Sequence, residues 1–342
     1  MIETANRAIR PRIGITMGDP AGVGPEVIVK ALSSGVLQGL ARFVVLGSLG
    51  SIEQAARSIA TESRVRAVHG LDDTEEDGTI DVWETGAPVP PDLLLGQLDG
   101  RAGALAVGYI HQAAQLALDG TIDAICTAPV NKEAVELSGE HFTGHTELLA
   151  ELTGADKVSM LLVAGKLRVA HVSTHVSLRE AIDLVRPDRI VEVIELVRPA
   201  VQMLGIPEPR IAVAGLNPHA GEHGLFGTEE TRMIRPAIDL CVARGWHVTG
   251  PHAPDSVFHI ARQGHYDAVI AMYHDQGHVA IKMADFFGGV NVTLGLPVIR
   301  TSVDHGTGFD IAGKGIANEE SMVAALRLAV DMATHRKATL TQ

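Results

Sequence analysis

Apolar and polar positions in this chain follow two periods. Short runs rich in β-branched residues, among them Ile13 to Met17, Phe43 to Leu46 and Ala124 to Thr127, read as buried strands. Each is followed by a segment of helical period: Glu26 to Leu32, Ser51 to Ile59 and Lys132 to Leu137. That succession predicts βαβ units and therefore an α/β protein with mostly parallel sheets. The alanine-rich stretch Gly103 to Leu118 and the stretch Pro187 to Leu204, with Asp188 in its first turn, read as packing helices. Arg66 to Leu98 breaks the rhythm with Asp72, Asp73, Glu75, Glu76, Asp77 and a group of prolines, and reads as a surface excursion without chemistry.

Five apolar runs end in polar turns: Ile13–Met17 before the loop from Gly18 to Pro25, Ala124–Thr127 before Ala128 to Lys132, Leu167–Ser173 before Thr174 and His175, Ile211–Gly215 before Leu216 to His219, and Ala268–Tyr273 before His274 to Gly277. Parallel α/β sheets bind ligands beyond the carboxyl ends of their strands, because loops and helix N-termini converge there. Five such ends carrying His, Asp, Asn and Lys point to one site.

The glycine loop Gly18 to Glu26 is not a Walker A sequence, since no Gly-Lys-Ser/Thr follows. It is not a Rossmann fingerprint either, since Gly22 and Gly24 lack a third glycine. It is read as a turn that delivers Pro25 to the start of a helix, whose free N–H groups could hold an anion or simply close a tight turn.

A single histidine is ordinarily a satisfied core or surface residue, and of the 16 here most must be bystanders. His175, His219 and His274 differ, because each follows a buried-looking strand. Three neutral imidazoles suit Zn²⁺, with Mg²⁺, Mn²⁺ or Co²⁺ as alternatives, and leave an open position for a substrate oxygen. Lys282, Asn291 and Arg300, with His145 and Thr146 earlier in the chain, add cationic and amide groups. Arg300 ends the run from Val290 to Ile299 and is expected to project from a strand end. Arginine forks onto carboxylate or phosphate, so these groups suggest a small anionic substrate.

Composition narrows the field further. The chain has 342 residues, 46% hydrophobic, enough for two α/β domains sharing a cleft. Its formal charge is 28 − 41 = −13 without a basic run, which argues against nucleic acid as a partner. Cys126 and Cys241 share no C-x-x-C spacing, so a reducing compartment is expected and no thiolate metal site. Neither Met1 to Pro11 nor any later stretch has the apolar length of a leader or membrane span, so a soluble cytoplasmic protein without a membrane partner is expected.

Taken together, certain blocks resemble the 4-hydroxythreonine-4-phosphate dehydrogenase family. They are Ile15-Thr-Met-Gly-Asp-Pro-Ala-Gly-Val-Gly-Pro-Glu26, Thr127-Ala-Pro-Val-Asn-Lys132, Gly144-His-Thr-Glu147, Leu216-Asn-Pro-His-Ala-Gly-Glu222, Tyr273-His-Asp-Gln-Gly277, Gly289 to Pro297, and Arg300-Thr-Ser-Val-Asp-His-Gly306. They span nearly the whole chain. The resemblance implies an isocitrate/isopropylmalate dehydrogenase-like fold of two α/β domains, one formed by residues 1–135 with 300–342, the other by 136–299 with the metal site and dimer interface. It also implies a homodimer whose subunits share each active site, with NAD bound without a Rossmann fingerprint. The metal ligands would be His175, His219 and His274; the substrate residues would be His145, Thr146, Lys282, Asn291 and Arg300.

The implied chemistry is NAD-dependent, metal-assisted oxidation of a hydroxy acid, with loss of CO₂ where the new carbonyl lies β to a carboxylate. Asp275, Lys132 or water could take the hydroxyl proton. Two departures, Gly221-Glu-His-Gly-Leu-Phe-Gly227 and His278 where leucine is usual, resemble a second branch of the family. That branch acts on D-threonate or D-erythronate 4-phosphate, or on terephthalate cis-dihydrodiol. Two other classes remain: a metal-dependent hydrolase, which would not respond to NAD⁺, and an idle sensor of a phosphorylated acid, which would not require three histidines.

Overall fold

The computed structural model describes residues 10–71, 76 and 78–340. In chain order come β1 (Arg12–Thr16), α1 (Gly24–Ser33), β2 (Arg42–Gly47), α2 (Leu49–Ser58), β3 (Arg64–Val68), β4 (Thr79–Glu84), α3 (Gly100–Leu118), β5 (Ala124–Thr127), α4 (Lys132–Ser138) and α5 (His145–Thr153). There follow β6 (Ser159–Ala164), β7 (Leu167–His171), α6 (Leu178–Asp183), α7 (Pro187–Gln202), β8 (Ile211–Ala214), α8 (Arg235–Ala243), β9 (Val248–His252), α9 (Val257–Arg262), β10 (Ala268–Ala271), α10 (His274–Ala284), β11 (Val290–Leu294), β12 (Ile299–Val303) and α11 (Glu320–Leu340). The chain divides into two compact units, residues 1–157 with 296–342 and residues 158–295.

The first unit contains strands in the order β3-β4-β2-β1-β5-β12. All of their pairings are parallel. Strands covered on both faces cannot alternate, so β5 is buried at all four residues and reads as an unbroken apolar run. Ile110, Ala113 and Leu116 of α3 pack with Ile125, Val135, Phe142 and Leu149 in one core. α5, with Leu149 in that core, therefore groups with the first unit. The second unit orders its strands β11-β6-β7-β10-β8-β9. Here β11/β6 and β6/β7 are antiparallel, and β7/β10, β10/β8 and β8/β9 are parallel.

The α/β, mostly parallel reading holds, and two local expectations are corrected. The stretch from Arg66 to Leu98 is not all excursion, because β4 and the end of β3 lie in it. Its period is hidden by a charge: Asp81 sits 6% exposed in β4, taking Arg66 Nε at 2.7 Å and facing Arg42 at 3.7 Å. Paired charges can line a strand interior that a polarity pattern scores as loop. Of its acidic run, Asp72, Asp73, Glu75 and Asp77 lie outside the described residues. Likewise β6 goes unforeseen; it joins β7 through the two-residue turn Gly165-Lys166, with Gly165 at φ 57°.

Arg300 is the second correction. The run from Val290 breaks at Gly295, φ 87°, and resumes as β12, so Arg300 lies inside a strand rather than at its end.

Candidate active site

In the first unit the glycine loop is a packing device. Added Cβ atoms would strike the Pro129 carbonyl at Gly18, the Thr307 carbonyl at Gly22 and the Met17 carbonyl at Gly24. The glycines are therefore filled by the chain's own backbone, and the loop offers no phosphate cradle of the dinucleotide type. Asp19, fully buried at its tip, accepts the Ala21 N–H at 2.8 Å, while its Oδ2 finds no hydrogen-bond partner. Burial pushes its carboxyl up to about 6, against hydrogen bonds from the Ala21 and Asn131 backbones.

Where the end of β5 meets β12 in the same unit a cationic cluster forms. Arg300, 3% exposed, donates through Nη2 and Nε to Thr127 Oγ1 at 2.6 and 3.2 Å. The register explains this: Arg300 lies beside Ile125, so its side chain runs forward along the face that Thr127 shares. Burial lowers the Arg300 pKa to about 10, which leaves it cationic at neutral pH. His145, first residue of α5, has a buried Nε2 with no hydrogen-bond partner. Desolvation, reinforced by the charges of Arg300 and Lys132, holds its pKa well below the usual imidazole range. Lys132, His145 and Arg300 are thus brought together, and Thr146 follows His145 in the first turn of α5. A neutral imidazole and two cations suit an anion's oxygens.

In the second unit, His175, His274 and Asp275 line one cavity with Ser173, Thr174 and Tyr273. His274 opens α10, whereas His175 lies four residues beyond β7 at φ 46°. A non-glycine residue in that left-handed region is held there by its surroundings, a feature that clusters at functional sites. The His175 and His274 ring centroids are 5.6 Å apart. Two imidazoles on one tetrahedral ion would place their centres ~5 Å apart, given metal–nitrogen bonds of ~2.1 Å. His274 Nδ1 bonds Asp275 Oδ1 at 2.7 Å. Because a carboxylate only accepts, that nitrogen carries the proton and Nε2 keeps its lone pair for a ligand. The donor chemistry of this pair fits a divalent ion.

His219 stands apart, exposed, with Nδ1 3.9 Å from Asp255 and its ring 6.3 Å from that of Phe226. Among the described residues no three His, Cys, Asp or Glu side chains are gathered to hold a metal. His219 begins a run of five left-handed residues through His223. Glu230, 5% exposed, holds this loop by accepting the N–H groups of Leu216 and Asn217 and the Asn217 amide. A Cβ at Gly221 would meet the same carboxylate. The Asn-Pro-His-Ala-Gly block is thus partly a wrapping for Glu230, which sequence reading missed because its partners lie 13 and 14 residues earlier.

Of the other expected substrate residues, Lys282 sits two turns along α10 with its ammonium 5.5 Å from the Phe286 ring centre, and Asn291 Nδ2 lies 2.9 Å from Met160 Sδ. The Asn291 Oδ1 is buried without a hydrogen-bond partner. Gln276 of the Tyr-His-Asp-Gln-Gly block is structural: it accepts the Met272 N–H at 2.7 Å and donates to the Gly215 carbonyl at 2.8 Å, joining the ends of β10 and β8.

Residues 39–329 match the family described as pyridoxal phosphate biosynthetic protein PdxA. The chain belongs to this family. It is 50% identical over 328 residues, 95% of this chain and 98% of the other, to D-threonate 4-phosphate dehydrogenase of Cupriavidus necator. It is 43% identical over 325 residues, 95% of this chain and 96% of the other, to 4-hydroxythreonine-4-phosphate dehydrogenase of Geobacter metallireducens. Among solved structures it is similar to 4-hydroxythreonine-4-phosphate dehydrogenase of Klebsiella pneumoniae, with TM-score 0.86 and 46% identity, covering 94% of this chain and 99% of that one. Terephthalate 1,2-cis-dihydrodiol dehydrogenase of Burkholderia xenovorans is more distant, at TM-score 0.67 and 28% identity, covering 94% and 98%. These relatives are named as dehydrogenases, which is consistent with an oxidoreductase. Among the described residues no helix is long and apolar enough to cross a membrane.

Proposed function

We propose that this chain is an NAD-dependent dehydrogenase that oxidises the secondary alcohol of a phosphorylated four-carbon hydroxy acid, D-threonate 4-phosphate or its D-erythronate epimer, with decarboxylation of the β-keto acid. The observation that carries the reading is the buried Arg300, tethered to Thr127 with Lys132 and His145 beside it, in a chain half identical to a D-threonate 4-phosphate dehydrogenase. A dianionic phosphate matches that cluster, whereas a cyclic dihydrodiol carboxylate belongs to the 28% relative.

Arg300, Lys132, His145 and Thr146 would hold the phosphate; Lys282 and Asn291 are the further substrate residues that the family resemblance implies. Of the metal residues that the family resemblance implies, His175, His219 and His274, the first and last line one cavity and would hold the divalent ion, while His219 stands apart from them. NAD would supply the hydride acceptor and a divalent ion, Zn²⁺ foremost, a Lewis acid for the substrate oxygen. Asp275 orients His274 through Nδ1 and, lying in the same cavity, takes the hydroxyl proton. Lys132 then serves the anion rather than the proton. Loss of CO₂ leaves its bonding electron pair on the α-carbon, which a solvent proton completes.

We assign the protein to the cytoplasm as a homodimer with shared sites; two free, buried cysteines support a reducing compartment. NADH formation measured with D-threonate 4-phosphate, D-erythronate 4-phosphate, 4-hydroxythreonine 4-phosphate and the terephthalate dihydrodiol tests the reading. Turnover is expected with the first two. Turnover with the dihydrodiol alone, or no thermal shift with NAD⁺, overturns it.

A further inference from the structure

One turn into α10, His278 lays its ring along that of His274, with centroids 3.6 Å apart and planes within 13°. Its own rotation is fixed, because its Nδ1 bonds the His274 carbonyl at 3.1 Å. Behind both rings stands His171, the last residue of β7 and 1% exposed, with its centroid 4.8 Å from His278 and 6.3 Å from His274. His171 thus packs its ring against both imidazoles of α10. Gly277 admits it, since a Cβ there would overlap His171 Nε2. Glycine inside a helix is less favourable than alanine, and the close approach of His171 accounts for its presence in α10.

We propose that His278, backed by His171, is a positioning residue for His274: the stacked ring holds the His274 imidazole so that Nε2 faces the cavity shared with His175 and Asp275. The inference deepens the proposed function and rests on it for the role of His274 as a metal ligand. The His274 side chain is 37% exposed, and ordering such a side chain at the moment of binding costs about fivefold in affinity. Aromatic stacking contributes a similar ~2–10-fold. The stack therefore supplies the order before the ligand arrives, while Asp275 fixes which nitrogen carries the proton.

The test uses the full-length protein with His278→Leu, which keeps bulk and helix propensity without a flat ring, and His278→Phe, which keeps the ring. Without the stack the His274 ring leaves the orientation in which Asp275 reaches Nδ1, so imidazole ¹⁵N spectra of the metal-free protein, with His274 assigned from the His274→Gln variant, are expected to show one tautomer in the wild type and His278→Phe and an averaged signal in His278→Leu. Calorimetric titration with Co²⁺ is expected to show a ~2–10-fold weaker Kd for His278→Leu and little change for His278→Phe. A folded His278→Leu protein with a single His274 tautomer and unchanged Co²⁺ affinity overturns the proposal, as does a Phe variant as impaired as the Leu variant. Should the Leu variant not fold, His278→Gln takes its place under the same criteria. If the wild type itself binds no Co²⁺, the metal reading of His274 fails, and the tautomer measurement still decides the positioning role.

Discussion

Arg300 and Thr127 sit on neighbouring parallel strands, and the guanidinium of one donates to the hydroxyl of the other over 2.6 Å. A buried cation held this way keeps its orientation before any anion arrives, so the grip on substrate depends on the fork and not on charge alone. Arg300→Lys is therefore expected to raise the KM for a phosphorylated substrate at least ~10-fold with little change in melting temperature. Steady-state kinetics beside a thermal melt check this; a wild-type KM would remove Arg300 from the substrate set.

Glu230 fastens the loop that carries His219. Replacing it with Gln keeps the volume but removes the charge that receives three N–H groups. The expected loss is ~1–3 kcal/mol, seen as a lower melting temperature and faster amide exchange confined to residues 216–226. Unchanged exchange there would show that the loop holds itself.

Asp19 makes stability depend on pH. Its pKa in the fold, about 6, exceeds its ordinary value of 3.8, so the native state binds the proton more tightly than the unfolded chain does. Stability from this group is greatest below the unfolded value, declines as pH rises through about 4 to 6, and is lower by ~3 kcal/mol above that window. Asp19→Asn retains an acceptor for Ala21 and is expected to flatten this slope and melt higher at pH 8. A wild-type slope in the variant, from melts across pH 4–8, would place the titration elsewhere.

Gly277→Ala should invert the ordinary rule for helices. In an open helix the change stabilises by ~1 kcal/mol. Here the new methyl overlaps His171 Nε2 beneath α10, so a fall in melting temperature is expected, corresponding to ~1–3 kcal/mol of overpacking. A rise would mean that His171 can move aside freely.

Much of the fold could be read along the chain, because a parallel strand covered on both faces must be apolar throughout and its crossover helix must carry the 3.6-residue period. β1, β2 and β5 with α1, α2 and α4 follow from that constraint. Asp81 shows where it fails: two arginines neutralise it inside β4, and polarity alone cannot report a partner. The block residues His145, His175, His274 and Arg300 could likewise be picked out by type and order.

What sequence determined by itself was which chemical groups exist and, through local periodicity, which elements carry them. Tertiary structure decided their surroundings: that Arg300 is buried within β12, that Glu230 anchors the His219 loop, that His171 backs His274, and that His175 and His274 face one cavity while His219 stands outside it. The physical reason is distance along the chain. Local propensity acts over a few residues, whereas burial, hydrogen-bond partners and ring contacts join residues far apart in sequence, and only folding fixes which of them meet.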